Sequence, residues 1–406
     1  MRHHAFPEGV TREGLVDWYR ANRARTRELF DFLLPDAYYD RPIALRNPFV
    51  FYEGHLPAFS VNTLVKLARK KRGVDEQLET LFARGIDPED EASAKSPTDV
   101  WPSRAAVQRF ANACDELVIE TLRNDTLEDE AVPELRGGEA VFTILEHEQM
   151  HQETLLYMLH ALGHERKASP GFGRRDVAAR APGSPKREAI PAGHATLGTQ
   201  GAFGWDNEFP SHTVHVPAFD VDVYNVTNGE YLAYMHATGA KAPHFWMRGE
   251  REWYWRGMFA AEPLHLDAPV YVTHAEAEAY AQWKGRRLPS EAQWHRAAEG
   301  ASDGHFDFAS LDPITVGQHA PSRYGVHDLV GNGWEWTSTI FDGFPGFHPM
   351  PSYSLYSADF FDHAHYVLKG ASPVTARELV RPSFRNWFRP NYPYVYATFR
   401  TVNELA

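Results

Sequence analysis

The sequence predicts an α+β protein of two domains, a helix bundle followed by a loop-rich mixed domain. Three observations carry that prediction. Residues 1–165 hold four segments whose apolar positions recur at helical spacing. Residues 166–188 lose this periodicity and become rich in Gly, Pro, Ser and Arg, as a linker or long crossing would. From 189 to 406 helix signals thin out, while Gly, Pro, Asn and aromatic residues become frequent.

The elements follow in order. "TREGLVDWYRANRARTRELFDFLL" opens on a Thr that can cap a helix, and Pro35 stops it. "PAFSVNTLVKLARKK" is the second helical segment, with His55 at its start. The third is "SRAAVQRFANACDELVIETLRN", capped by Ser103, and the fourth is "GGEAVFTILEHEQMHQETLLYMLHALGH", which follows Gly137 and Gly138. Four such segments suggest an antiparallel bundle. In the second half, "HTVHVPAFDVDVYNVT" alternates like a strand pair. "THAEAEAYAQWKG" reads as one clear helix, followed by the turn "RRLPSEAQWHRAA".

Composition narrows the function. At 406 residues with 43% hydrophobic and 13% aromatic content, the chain can bury large cores. A formal charge of -13 argues against general affinity for nucleic acid or anionic membrane. Cys114 is the single cysteine, so an intrachain disulfide and a Cys-rich zinc site are excluded. The first residues hold no apolar signal segment and no run approaches the ~18 apolar residues of a membrane span, so a soluble cytoplasmic protein is expected. The 21 histidines point toward nitrogen-ligated metal.

Residues 147–151 read "HEQMH", the HExxH pattern of zinc metalloproteases. Positions four apart lie on one helix face, so His147 and His151 can point at one ion. Glu153 is about 200° around the helix from His151 and is a poor member of the same shell. A bundle core would draw the remaining ligand from another helix, and His55 in "FYEGHLPAF" is the best candidate. In a protease Glu148 would be the general base. That chemistry also needs a third ligand on a following helix, where this chain instead enters its linker.

The second half holds "FGWDNEFPSHTV", "VTNGEYLAYM", "GRRLPSEAQWHRAA", "GVHDLVGNGWEW", "YVLKGAS" and "RNWFRPNYPYVYATFR". Together these resemble the formylglycine-generating-enzyme-like, or sulfatase-modifying-factor, fold, which implies a C-type-lectin-like α+β domain over 189–406. Formylglycine generators use a pair of cysteines, and this chain has only Cys114, in the other domain. A DinB-like four-helix bundle carrying HxxxHxE and joined to this fold resembles the ergothioneine-biosynthesis sulfoxide synthases and their ovothiol and selenoneine synthase relatives.

That resemblance implies a mononuclear non-haem Fe(2+) enzyme that uses O2 to join sulfur or selenium to an imidazole carbon. It implies iron ligands at His55, His147 and His151, with Glu153 as a supporting residue. In "PSYSLYSADFFDHAHYVLKGAS", Tyr353 matches the tyrosine that delivers a proton or hydrogen, and Tyr356 one in the substrate pocket. Asn386 and Trp387 match positions holding the betaine hercynine. A trimethylammonium group favours an aromatic face, and an imidazole nitrogen a polar partner. The active site is expected between the domains.

Departures bear on the donor. Phe388 stands where the relative using γ-glutamylcysteine has Asp, and Met150 where some relatives have Gln. The stretch "RGIDPEDEASAKSPTDVWPSRAAVQRF" is acidic rather than arginine-rich, leaving Arg104 and Arg109 as carboxylate partners. Burying charged donor groups unpaired is costly. The expectation is therefore a synthase joining a selenol or thiol donor, such as a selenosugar, to C2 of hercynine. Cysteine or γ-glutamylcysteine as donor, a zinc hydrolase built on "HEQMH", and a non-catalytic ligand-binding protein are the alternatives.

Overall fold

A computed structural model of the chain describes residues 9–83, 101–168, 187–201 and 203–405. The acidic stretch over 84–100 and most of the expected linker, 169–186, lie outside the described residues. The chain divides into two compact units. One is Met1–Phe172 with the segments Gly201–Phe203 and Met350–Ser354; the other is Gly173–Gln200, Gly204–Pro349 and Leu355–Ala406.

The first unit is a helix bundle. Helix α1 (Arg12–Phe30) starts where Thr11 accepts the Gly14 N–H, satisfying an otherwise unpaired donor. Helix α2 (Phe49–Ser60) continues directly into a π-helical stretch, Val61–Ala68, and a short α3 (Glu76–Leu81) follows. Helix α4 (Arg104–Asn124) is capped by Ser103, and α5 (Glu139–Ala161) starts after Gly138, which holds a positive φ of 75°. Both α1 and α2 pack on α4 and α5.

The second helical segment differs from the sequence expectation. Its helix begins at Phe49, so His55 lies mid-helix and Pro57 inside it, not at the start. All twelve residues of α2 are buried. A helix enclosed on every side has no amphipathic period to mark its start, and Pro57 imitates a first-turn proline. Inside the helix it removes one backbone donor, and the wider π-helical turn follows four residues later.

The second unit is a mixed domain of short strands and helices. Its first strands are β1 (Arg187–Ile190), β2 (Gly193–Leu197), β3 (His212–Val216) and β4 (Phe219–Asp222). Next come α6 (Asn228–Thr238), β5 (Trp246–Arg248), β6 (Trp253–Arg256), β7 (Ala261–Pro263), α7 (His274–Trp283) and α8 (Glu291–Ala297). The last strands are β8 (Gly333–Ile340), β9 (Tyr366–Ala371), β10 (Asn386–Phe388), β11 (Ala397–Thr398) and β12 (Val402–Glu404). The largest sheet runs β10-β9-β8-β11. Strands β3 and β4 are not a pair: β3 pairs β2, and β4 lies between β1 and β12. Ile190, Phe219, Val221, Trp294 and Val402 close a core around that small sheet.

Buried charge pairs tie this unit together. Glu208 accepts from Arg381 Nη2 at 2.6 Å, Ser383 Oγ at 2.6 Å and the Trp205 N–H at 2.8 Å. Burial alone would push its carboxyl up, but Arg381 first and then these hydrogen bonds hold it below the usual range. Burial likewise raises Glu291, and Arg385 and Lys369 outweigh it. Both carboxyls are thus depressed in the folded state. Their stabilisation is complete above the unfolded value of about 4.3 and fades as pH falls through the lower folded values. The urea midpoint should therefore drop between about pH 5 and pH 3. An Arg381→Met variant should start lower at neutral pH and lose less on acidification.

Candidate metal centre

Two facing helix stripes build the site. On α5 His147 and His151 are one turn apart, and on α2 Phe51, His55 and Phe59 repeat at the same spacing. Ligand nitrogens of His55, His147 and His151 all lie within 4.8 Å of one another, and among the described residues they are the one such cluster of three or more possible ligands. Phe59 stacks on His147 at 3.5 Å between centroids and 9° between planes, and Phe51 stacks on His55 at 4.8 Å. The imidazoles are thereby held by flat aromatic neighbours as well as by their own helices.

Hydrogen bonding settles one tautomer. His55 Nδ1 lies 2.8 Å from the Phe82 carbonyl, which can only accept, so Nδ1 carries the proton and Nε2 offers a lone pair. Phe82 is placed there by α3, whose C-cap it forms. Gly54 makes the approach possible, since a Cβ at that position would sit 2.5 Å from the Phe82 ring. His151 keeps some surface as a residue, but its Nδ1 is enclosed and has no hydrogen-bond partner. Burial, followed by the neighbouring His55 and Arg46, holds His151 well below the usual histidine range. A His151 held neutral with an enclosed, unpartnered ring nitrogen, beside two further imidazoles, fits a metal donor set, and three imidazoles leave coordination positions open.

Glu148 does not serve this cluster. Its Oε1 accepts from Arg23 Nη1 at 2.8 Å and Thr26 Oγ1 at 2.7 Å, both on α1, and its Oε2 is enclosed without a partner. The carboxylate that gives "HEQMH" its hydrolytic look is therefore committed to an ion pair on another helix. Glu153 is buried and is no member of the ligand cluster.

The remaining sequence-predicted residues divide between the units. Tyr353 belongs to the first, with its ring 5.1 Å from Phe59 and 6.2 Å from His147. Met150 is half-buried on α5, and Arg109 is exposed on α4. Arg104 lies over the Tyr38 ring at 5.1 Å, with its Nε 3.7 Å from Glu53 Oε1. In the second unit Tyr356 packs on Trp205 at 4.0 Å and Trp387 at 5.2 Å. Asn386 and Phe388 point to the opposite face of β10 from Trp387, and Phe388 stacks on Tyr392 at 5.0 Å.

Sequence reasoning missed Phe59 and Trp205. Phe59 was within reach, being four residues from His55 on the same helix face. Trp205 lies in the motif "FGWDNEFPSHTV", but about 150 residues from Tyr356, and nothing local pairs the two.

Residues 175–405 match the Sulfatase-modifying factor enzyme 1-like domain, and residues 19–155 match the DinB superfamily. Ergothioneine biosynthesis protein 1 of Neurospora crassa is 28% identical, over 90% of this chain and 55% of its own length. The chain thus spans little more than half of that relative. Hercynine oxygenase of Mycolicibacterium thermoresistibile is 31% identical, over 75% of this chain and 76% of its own. Among solved structures, PvdO from Pseudomonas aeruginosa is 22% identical with a TM-score of 0.41, covering 56% of this chain and 100% of its own. Among the described residues no helix is long and apolar enough to cross a membrane. With a DinB-superfamily bundle, a sulfatase-modifying-factor-like domain and hercynine oxygenases among its relatives, the chain belongs to the ergothioneine-type sulfoxide synthase family.

Proposed function

We propose that this protein is an Fe(2+)- and O2-dependent synthase forming a carbon–selenium or carbon–sulfur bond at C2 of hercynine's imidazole. The observation that carries the proposal is the cluster of three imidazoles with the Tyr353 ring beside His147 in the same unit. Hercynine oxygenases among the relatives support the substrate. Iron bound by His55, His147 and His151 would supply oxygen activation and a soft site for the chalcogen donor. The chain's own groups do the rest. Tyr353 would hold the proton or hydrogen on its phenol oxygen and deliver it, steering turnover toward product and away from simple donor oxidation. Tyr356 and Trp387, packed together, offer aromatic surface to a trimethylammonium group, whereas Asn386, on the opposite face of β10 with its Oδ1 accepting from the Trp387 N–H at 2.9 Å, does not share that surface.

Two features favour a donor without amino-acid charges. Phe388 offers no ion partner, and Arg104 already faces the Glu53 carboxylate. One feature favours cysteine: Arg104 Nε is enclosed without a hydrogen-bond partner, a donor that a substrate carboxylate could satisfy. The deciding experiment incubates Fe(2+)-loaded protein with hercynine and O2, adding a selenosugar, cysteine or γ-glutamylcysteine in parallel, and identifies products by mass spectrometry. The selenosugar is expected to give the fastest product formation. Product from γ-glutamylcysteine alone would overturn the argument from Phe388, and stoichiometric zinc with peptidase activity would sink the iron proposal.

A further inference from the structure

We propose that Glu139 and Thr143 are positioning residues that clamp the tyrosine segment onto the metal-binding helix. Glu139, Thr143, His147 and His151 are spaced four apart along α5, so they form one stripe about 18 Å long. Its C-terminal half carries two of the three clustered imidazoles. Its N-terminal half grips the segment Met350–Ser354, which belongs to the same compact unit despite its distance in sequence. The Ser352 N–H donates to Glu139 Oε1 at 2.8 Å. The Ser352 hydroxyl pairs with the Thr143 hydroxyl at 2.9 Å. All three residues are buried.

The consequence falls on the next residue. With Ser352 fixed through both backbone and side chain, Tyr353 retains little beyond its own two side-chain torsions. Phe59 limits those, standing 5.1 Å from the tyrosine ring while stacking on His147. One helix face therefore sets the distance between a ligand imidazole and the phenol. Hydrogen bonds are directional, and a satisfied buried polar contact fixes register where apolar packing would tolerate sliding. A proton or hydrogen donor needs that precision, since a displacement of about 1 Å can cost about 100-fold.

This inference rests on the proposed role of Tyr353, so Tyr353→Phe is the reference variant. The test variants are Thr143→Val, Glu139→Ala and the paired Thr143→Val with Ser352→Ala. The pair removes both hydroxyls and leaves no unpaired polar group, which guards against simple unfolding. Two readouts are taken. The first, on metal-free protein, is the 19F spectrum of 3-fluorotyrosine incorporated at position 353. One signal is expected with the clamp intact, and a second, solvent-like signal in each clamp variant. The second, on the Fe(2+)-loaded protein, is the ratio of coupled product to oxidised donor.

That ratio should fall about tenfold in the clamp variants, in the direction of Tyr353→Phe. Fe(2+) affinity should stay within about twofold, because the ligand imidazoles are untouched. Glu139→Gln, which keeps an acceptor for the Ser352 N–H, should restore most of the ratio. The clamp is overturned if Tyr353→Phe shifts the ratio and the clamp variants shift neither it nor the 19F spectrum. If Tyr353→Phe itself leaves the ratio unchanged, the proposed role of Tyr353 fails. A changed 19F spectrum in the clamp variants would still establish the clamp as a structural tether, though not as a catalytic positioning device.

Discussion

His147→Ala is expected to abolish metal retention and product formation while leaving the bundle folded. The three imidazoles form a nearly equilateral triangle, with ring centroids 5.3 Å apart for His55 and His147, 5.2 Å for His55 and His151, and 4.5 Å for His147 and His151. Removing His147 leaves two donors, too few for the three-ligand sites that keep open positions for catalysis. Losing a group that merely supports a ligand costs about 10–100-fold in affinity, so losing the ligand itself should exceed that range. The expected result is less than a tenth of the wild-type metal content after gel filtration, measured by mass spectrometry. Far-UV circular dichroism should be unchanged, because α5 is buried along most of its length and keeps its apolar contacts. His55→Ala should behave alike, although His55 reaches the cluster from another helix. Stoichiometric iron in either variant would remove the three-imidazole centre from the proposal.

How much of this centre was legible depended on whether its signal was local. The spacing of His147 and His151 shows in any helical reading, because ligation by one face needs residues one turn apart. The choice of His55 followed from bundle geometry and needed no helix boundary, which is fortunate. Burial on all sides hid the start of α2 at Phe49, and Pro57 suggested a false one. Tyr353 lies in a loop segment with no periodicity, so only a resemblance could single it out, and its membership of the unit that holds the histidine cluster is a tertiary fact.

The second unit repeats the contrast. Helices α6 and α8 both begin with complete capping boxes, Thr227 with Glu230 and Ser290 with Gln293. Those starts are written in "TNGE" and "SEAQ", yet from the sequence only α7 reads as a clear helix, while α6 is missed and the seven-residue α8 is taken for a turn. The strands β3 and β4 were legible singly, but not their partners. β4 takes its neighbour β12 from the end of the chain, and no alternation of side chains encodes a pairing that distant.

Arg23→Ala should destabilise the first unit by about 3–5 kcal/mol, the cost of stranding a buried charge. Arg23 is 4% exposed and its side chain bridges two carboxylates, Glu148 on α5 and Asp115 on α4, each at 2.8 Å. Asp115 keeps Tyr19 and the outer Arg27 as partners, whereas Glu148 would keep only Thr26. The penalty therefore concentrates on Glu148, which follows His147 on α5. Urea unfolding followed by tryptophan fluorescence would measure it. Replacing both partners, Arg23→Met with Glu148→Met, should cost far less than the sum of the single changes, because a well-packed apolar pair needs no compensating charge. That double variant also isolates the last open question about "HEQMH". His55, His147 and His151 remain in place, so metal content and synthase activity should persist. A hydrolase would lose its general base and with it all turnover. Near-wild-type product formation in a protein lacking the Glu148 carboxylate would show that the second letter of the motif serves the attachment of α5 to α1, and the histidines alone serve the metal.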